Sequence, residues 1–576
     1  MKRLRLDGRY GQVSTVKAAG ATYTPTELAD FVAARIVEAV KPSQRDSVVR
    51  ILDPAVGEGE LLVSLLQRIP AHCRAEVHGF DTDEKTLEHC AHNLRTKFPG
   101  AEIHLTSGDF LESILEERAR IAPGGLFSAE ITDGYDLVIA NPPYVRTQIL
   151  GASEARRIAE RFRLTGRVDL CHAFIIGMAT VLRPGGIAGI IVSNRFMTTR
   201  AGASVRRAIR ERLHLRHVWD LGDTKLFDAA VLPAVLLAEG RNGQSGEDPR
   251  FTSIYETAEP PQHVAGSIAE GIGLAGVVQV PGGRRFRVRH GTLDASGGRS
   301  GVWRIATAEG DQWLSAVTAH TWRTFRDIGK VRVGVKTCAD KVFIRPDWDD
   351  LPDGDQPELL RPLATHHIAR RFRAATSQER RRILYPHECR HGKRYAVDLA
   401  AYPKSRKYLE RHRETLESRT YVLDAGREWY EIWVPQDPEL WAKPKLIFRD
   451  ISEEPCFWLD REGSIVNGDC YWLCCESPED EPLLWLALAV ANSKFVEVFY
   501  DHKFHNKLYS GRRRYITQYV EQFPLPDPKT RGGRRLAELA QTMHSSNDAR
   551  LDESLSRELN ALVWQAFGLP VEEVAR

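Results

Sequence analysis

No apolar run in the 576 residues approaches the ~18 that would predict a membrane span. The basic start Met1-Lys2-Arg3-Leu4-Arg5 leads into no apolar core, so no secretory signal is expected. Cysteine is sparse: nine residues without paired spacing, the pattern of reduced thiols in a cytoplasmic protein. Internal repeats and low-complexity tracts are absent. Charge of one sign is also lacking, with 80 Lys and Arg against 77 Asp and Glu and a net charge of +3. A composition 42% hydrophobic and 27% charged is that of a globular chain and excludes wholesale disorder. The length suits two or three domains. The balanced total hides one uneven block, Arg361 to Thr420, where 16 basic residues face 6 acidic ones, a candidate polyanion surface.

What is present divides the chain in two. From about Ala21 to Gly240, apolar runs alternate with amphipathic stretches. Val48 to Leu52, Glu76 to Phe80, Glu102 to Leu105, Asp136 to Ala140 and Gly186 to Ser193 read as buried strands. Leu61 to Ile69 and Lys85 to Phe98 have helical spacing. That alternation predicts an α/β fold with a mostly parallel sheet and crossover helices. The polar, turn-rich Arg241 to Pro249 reads as a linker, giving domains 1–242 and 243–576. The second half is rich in Trp, Arg and Pro and shows no regular alternation. Near its end Leu555, Leu559, Leu562, Val563 and Phe567 share a helical face, and Gly568 is a natural stop.

Four strand ends carry chemistry in order. The first leads into Asp53-Pro54-Ala55-Val56-Gly57-Glu58-Gly59, a glycine turn that lets backbone approach a ligand. It lacks the spacing of a dinucleotide site and the Gly-Lys-Ser/Thr of a phosphate loop. The second ends in Asp81, placed to accept from ribose hydroxyls, and the third in Asp109-Phe110, an acid beside an aromatic ring. Each acid alone could be a helix N-cap; three in order point to a nucleoside ligand. The fourth delivers Asn141-Pro142-Pro143-Tyr144. Two prolines stiffen the backbone, and the Asn141 side-chain carbonyl with the Pro142 carbonyl offers two acceptors for one amino group. Tyr144 adds a flat face for stacking.

With Tyr23-Thr24-Pro25-Thr26-Glu27-Leu28-Ala29 ahead of the glycine turn, this series resembles the gamma-class, TaqI-like N6-adenine DNA methyltransferases of restriction–modification systems. The likeness spans about residues 20–240 and includes Arg167-Val168-Asp169-Leu170, Leu182-Arg183-Pro184-Gly185-Gly186 and Lys225-Leu226-Phe227-Asp228. Asp53 stands where relatives often carry Glu. The resemblance implies a Rossmann-like domain binding S-adenosylmethionine through Thr24, Asp53, Ala55, Gly57, Asp81, Asp109, Phe110 and Asn141. It implies catalysis by Asn141, Pro142 and Tyr144, with Pro143, Tyr144 and Phe227 holding a flipped-out adenine. It further implies a mixed α+β target-recognition domain, double-stranded DNA as partner, and a prokaryotic cytoplasmic location. A separately encoded restriction endonuclease is a possible companion. N4-cytosine methylation and a non-catalytic DNA-binding subunit are the alternatives; an RNA or protein substrate is weakened by the large basic second half.

In that second half, Ala489 to Phe495, Tyr519 to Pro526 and Gly334 to Thr337 carry a looser likeness to the same class. Arg380, Arg381 and Arg382, with Arg512, Arg513 and Arg514, are candidate DNA contacts. Cys456, Cys470, Cys474 and Cys475 lack metal-ligand spacing, as do His387, Cys389 and His391, so no metal is expected. No carboxylate–lysine cluster suggests a nuclease.

Overall fold

The computed structural model describes residues 24–40, 48–121, 134–144, 152–164, 169–199, 202–226, 232–241, 247–295, 301–352, 355–375, 381–504, 512–546 and 548–571. Phe227, Arg380, Arg167 and Val168 lie outside them. The chain forms two compact units, one ending at Thr307 and one beginning at Ala308.

The first unit is built on one twelve-stranded sheet. Its strands are β1 (Val48–Asp53), β2 (Arg74–Asp81), β3 (Glu102–Ser107), β4 (Tyr135–Ala140), β5 (Leu182–Ser193), β6 (Leu213–Asp220) and β7 (Pro233–Gly240). They continue with β8 (Arg250–Glu256), β9 (His263–Val264), β10 (Gly276–Gln279), β11 (Arg285–Asp294) and β12 (Arg304–Ala306). The order is β3-β2-β1-β4-β5-β7-β6-β8-β11-β10-β9, with β12 on β11. β1 to β5 pair in parallel, whereas β7 runs antiparallel between β5 and β6. The sheet is thus mixed, with a parallel half where the strand-end motifs lie.

The boundary expected at residue 242 is not where the first unit ends. β8 pairs in parallel with β6, and β11, β10 and β9 extend the sheet beyond it. The polar stretch from Arg241 to Pro249 therefore connects two strands of one sheet. Polarity marks a surface loop, and a loop between strands has the same composition as a linker.

Both faces of the parallel half are covered. Helices α1 (Thr26–Ala39), α2 (Glu60–Leu66) and α3 (Glu84–Lys97) bury Leu28, Val32, Ile36, Leu62, Leu65 and Leu94 against Ile51, Val77, Leu137 and Ile139. Helices α4 (Phe110–Ile121), α5 (Ala152–Arg161) and α6 (Leu170–Val181) cover the other face, where Phe110, Ile114, Phe174 and Ile175 meet Leu52, Val138 and Ala140. Residues 137 to 140 alternate strictly between the two cores, the period-2 consequence of the pleat. β1 lies between β2, which follows it, and β4, which comes later. Chain connections therefore leave β1 in opposite directions, and such a switch point opens a crevice at the carboxyl ends of β1 and β4.

The second unit has two four-stranded sheets and a helical layer. In one sheet Val331–Val333, Cys470–Cys474, Lys445–Arg449 and Phe457–Asp460 lie side by side. Leu483–Ala491, Lys494–Lys503, Arg531–Ser545 and Ala549–Ala566 form helices whose apolar faces share one core with it. Leu559, Val563 and Phe567 are fully buried there, and Gly568 ends the last helix at φ +69°, as their spacing predicted. Cys470, Cys474 and Cys475 are buried free thiols, held above the ordinary thiol range chiefly by burial. His387 is buried and neutral: burial pulls it down to about 3, and its Nε2 accepts from the Ile432 amide at 3.0 Å. Among the described residues, no single helix is long and apolar enough to cross a membrane.

Candidate active site at the carboxyl edge of the sheet

The carboxyl ends of β1 and β4 gather the residues marked from sequence. Asp53, the last residue of β1, is fully buried. Its Oδ1 accepts from the Ala55 amide at 3.0 Å, and its Oδ2 is buried without a hydrogen-bond partner. Burial pushes this carboxyl up to about 7, opposed by the Ala55 hydrogen bond and assisted by nearby Asp81. A buried acid with one idle oxygen is under strain that a cation beside it would relieve.

The turn that follows uses its two glycines differently. Gly59, at φ +85°, has no room for a side chain, since a Cβ would sit 2.4 Å from Cys90 Sγ. Gly57, at φ +53°, faces open space: nothing lies within 4 Å of where a Cβ would be. One glycine serves packing, and the other keeps the backbone bare beside the crevice. Asp81, ending β2, accepts from the Gly57 amide at 2.9 Å through Oδ2 and from the Asp83 amide at 2.9 Å through Oδ1. Each oxygen keeps a lone pair. Asp81 thereby ties the glycine turn to its own strand while half exposed.

Asp109 caps α4, accepting from the Leu111 amide at 2.8 Å, and stays exposed. The helix-cap reading and the ligand reading are thus compatible at this position. The Phe110 ring is 3% exposed and packs against Phe80 and Phe174, at centroid distances of 5.5 and 5.6 Å.

Asn141 leaves β4 and reaches back to the start of α1: its Nδ2 donates to Thr24 Oγ1 at 2.9 Å. Its Oδ1 is buried and accepts nothing. Pro142 is buried, and Pro143 and Tyr144 are half-buried. The Tyr144 ring packs where the two cores of the sheet meet, and burial holds its phenol well above the ordinary range, as a neutral group. Of the sequence-marked residues, Thr24, Asp53, Ala55, Gly57, Asp81, Asp109 and Asn141 to Tyr144 cluster at this edge.

One cluster on the same edge was missed. Asn194, just after β5, donates to Asp220 at the end of β6 at 3.0 Å, and the Tyr255 hydroxyl on β8 donates to Asp220 at 2.7 Å. Burial pushes Asp220 up to about 6. The signal available was a polar residue closing each of two apolar strands, Ser193-Asn194 and Trp219-Asp220, which sequence alone does not separate from ordinary caps.

The six arginines of the second unit that sequence marked fare unequally. Arg513 pairs with Asp501 through two hydrogen bonds of 2.9 and 3.0 Å and with Glu497 at 3.3 Å. Arg514 forks onto Asp450 at 3.0 and 3.1 Å, and Arg382 pairs with Asp349. Arg512 lies 3.5 Å from Glu453 and is 56% exposed. Within the basic block, Arg406 and Arg413 pair with Glu410 and Glu417 one turn on, and Lys407 and Arg411 share Asp355. Arg419 is buried and donates to four carbonyls. Several basic side chains of the block are thus paired or used for folding, with Asp349 and Asp355 among the acids supplied from outside it.

The Asp53 shift carries a testable sign. A carboxyl whose folded pKa is raised contributes stability that is complete below its unfolded pKa of about 4 and is lost as pH rises through about 7. Asp53→Asn should therefore melt above the wild type at pH 8, with the difference closing towards pH 4, when cofactor-free protein is followed by calorimetry. Equal melting temperatures at pH 8 would show that Asp53 is ionised without penalty.

Comparison with known proteins places this geometry. Residues 71–227 match the Eco57I restriction-modification methylase family, and residues 390–525 match the TaqI-like C-terminal specificity domain. The chain is 36% identical over 572 residues to the type II methyltransferase M.BanIII of Aneurinibacillus aneurinilyticus, covering 96% of this chain and 97% of that one. It is 24% identical to the type II methyltransferase M.PaeR7I of Pseudomonas aeruginosa, covering 97% and 93%. Among solved structures, the type IIL restriction-modification enzyme MmeI, determined in complex with DNA, shares the fold at a TM-score of 0.57 with 11% identity, over 95% of this chain and 72% of that one. The idle Asp53 oxygen and the bare backbone at Gly57 fit a cationic nucleoside cofactor. The chain belongs to the type II restriction–modification methyltransferases, with S-adenosylmethionine as its methyl donor and a TaqI-like specificity domain in its second half.

Proposed function

We propose that this protein methylates the N6 amino group of adenine in double-stranded DNA at a specific sequence, as the modification component of a system whose endonuclease is encoded separately. One observation carries the reading: Asn141 Oδ1 is a buried acceptor with no partner, at the switch-point crevice, directly followed by the Pro142 carbonyl. Buried acceptors are mostly satisfied, so an idle one beside the strand-end cluster is open to a donor from a substrate.

The chemistry follows from that pair. The adenine amine is a poor nucleophile because its lone pair is delocalised into the ring. Accepting its two N–H bonds through Asn141 Oδ1 and the Pro142 carbonyl favours a tetrahedral nitrogen with its lone pair directed outward. S-adenosylmethionine supplies an electrophilic methyl group. The protein's contribution is positioning and electrostatics, without a general base. A paired base cannot reach a crevice at a sheet edge, so the adenine must leave the duplex, with Tyr144 offering a ring for it to stack on. Asp53, Asp81 and the Gly57 backbone would hold the cofactor, with Asp109 and Phe110 at its adenine end. In the second unit, Arg381, Arg382, Arg512 and Arg514 are the marked arginines that retain exposed surface for phosphate contacts, whereas Arg513 is buried.

Incubation of plasmid DNA with the full chain and S-adenosylmethionine, followed by nucleoside mass spectrometry, should yield N6-methyladenine. N4-methylcytosine instead would move the substrate to cytosine, and no methylated base would reduce the chain to a binding subunit. Asp81→Ala should weaken cofactor binding by about 1–3 kcal/mol, the worth of hydrogen bonds lost to a charged acceptor. Unchanged affinity by calorimetry would remove Asp81 from the cofactor site.

A further inference from the structure

The two ends of a carboxamide have the same shape and are told apart only by their partners. For Asn141 the distinction decides whether the site works. With Oδ1 towards the target amine, the side chain accepts a hydrogen bond; turned over, it presents two N–H donors to another donor. Something must fix the turn. We propose that Thr24 is a positioning residue that sets the Asn141 amide in its accepting orientation, a role separate from cofactor contact and resting on the reading of Asn141 as the acceptor.

Thr24 Oγ1 accepts a hydrogen bond from Asn141 Nδ2 at 2.9 Å across 117 residues of sequence, and in this arrangement Oδ1 is left without a partner. Thr24 is 8% exposed, so water does not readily replace it. Its own placement is rigid. Pro25 follows, with φ fixed at −62°, and the Pro25 carbonyl accepts from the Leu28 and Ala29 amides at 3.0 Å each. Thr26 Oγ1 donates to Glu60 Oε1 at 2.6 Å, which anchors the start of α1 to the first residue of α2, directly after the glycine turn. The Thr-Pro-Thr segment thus holds one acceptor at a fixed point opposite the end of β4. Valine has the shape of threonine but no acceptor. With it at position 24, neither orientation of the Asn141 amide would have a partner at that point, and nothing would hold Oδ1 towards the target amine. Serine keeps the acceptor.

The test compares Thr24→Val with Thr24→Ser in the full chain, both checked by thermal melting. Single-turnover methylation at saturating cofactor and DNA should fall roughly 5- to 150-fold in Thr24→Val, the penalty range for a buried unsatisfied donor, and recover to within about threefold in Thr24→Ser. In cofactor-free protein labelled at asparagine nitrogen, the Asn141 side-chain amide protons should be protected from exchange in the wild type and Thr24→Ser but not in Thr24→Val. If Thr24→Val does not fold, Thr24→Ala against Thr24→Ser makes the same comparison. A Thr24→Val enzyme that loses only cofactor affinity, with a wild-type rate at saturation, overturns the proposal. So does a Thr24→Ser enzyme as slow as Thr24→Val. Asn141→Ala is the control that separates failures: if it stays active, the acceptor reading itself has failed.

Discussion

Asn141→Ala should abolish methyl transfer, with a loss of at least about 10²–10³-fold, while S-adenosylmethionine affinity stays within a few-fold of the wild type. The magnitude is that of removing one preorganised hydrogen-bonding group aimed at the reacting atoms. The selectivity follows from partners. Asn141 Oδ1 is engaged by nothing in the protein, and its Nδ2 contacts Thr24 rather than the glycine turn. Removing the side chain takes away one of the two proposed acceptors, and the amine lone pair then stays delocalised. The fold should survive, because Asn141 is a strand-end residue whose single described side-chain bond is to Thr24. A variant that is inactive because it no longer binds cofactor would place Asn141 in the wrong role. Retained activity would remove it from catalysis altogether.

Much of the first unit was legible because its strands are short apolar runs ending in polar residues. The expected strand at Asp136 to Ala140 is Tyr135–Ala140, and the one at Val48 to Leu52 is Val48–Asp53. Residues buried on both faces leave little alternative to a covered sheet. What composition could not disclose is pairing. β7 runs antiparallel and β8 joins the same sheet beyond a polar loop, because strand order is set by crossover geometry and not by hydropathy. The domain boundary was misplaced for that reason.

Placement was legible where a single polar residue closes a strand, and obscure where the arrangement lies in a contact. Asp53, Asp81 and Asn141 stand at strand ends and could be read singly. The Thr24–Asn141 bond joins residues 117 apart, and the Asn194–Asp220–Tyr255 group joins three strands; neither leaves a spacing to find. Charge misled most. Counting arginines in Arg512-Arg513-Arg514 suggests a basic patch, yet the two outer faces of a strand see different partners, and acids 12 and 64 residues away answer two of the three.

That difference separates two neighbours sharply. Arg513→Ala should destabilise the second unit by roughly 3–5 kcal/mol, the cost of leaving buried charge unpaired. The Arg513 side chain is 10% exposed, and those of its partners Asp501 and Glu497 are 13% and 15% exposed. It also donates to the Glu453 carbonyl at 2.8 Å. Truncation would leave two carboxylates facing each other out of water. Burial already raises Glu497 above the ordinary carboxylate range, with Arg513 the leading influence holding it down. Losing the guanidinium should raise it further, so the deficit of the variant should shrink as the pH falls towards 5 and the acid takes up a proton. Arg512→Ala, by contrast, removes an exposed side chain 3.5 Å from an exposed Glu453, and its melting temperature should match the wild type, as such pairs contribute about 0–1 kcal/mol. If Arg512 contacts a phosphate, its loss should weaken specific and non-specific duplexes alike and lower the salt dependence of binding by about one counterion. Calorimetric melting at pH 8 and pH 5, with duplex binding measured at several salt concentrations, reads both effects. Similar melting temperatures for the two variants would mean that the Arg513 cluster is solvated and that the arginine run is an open basic surface after all.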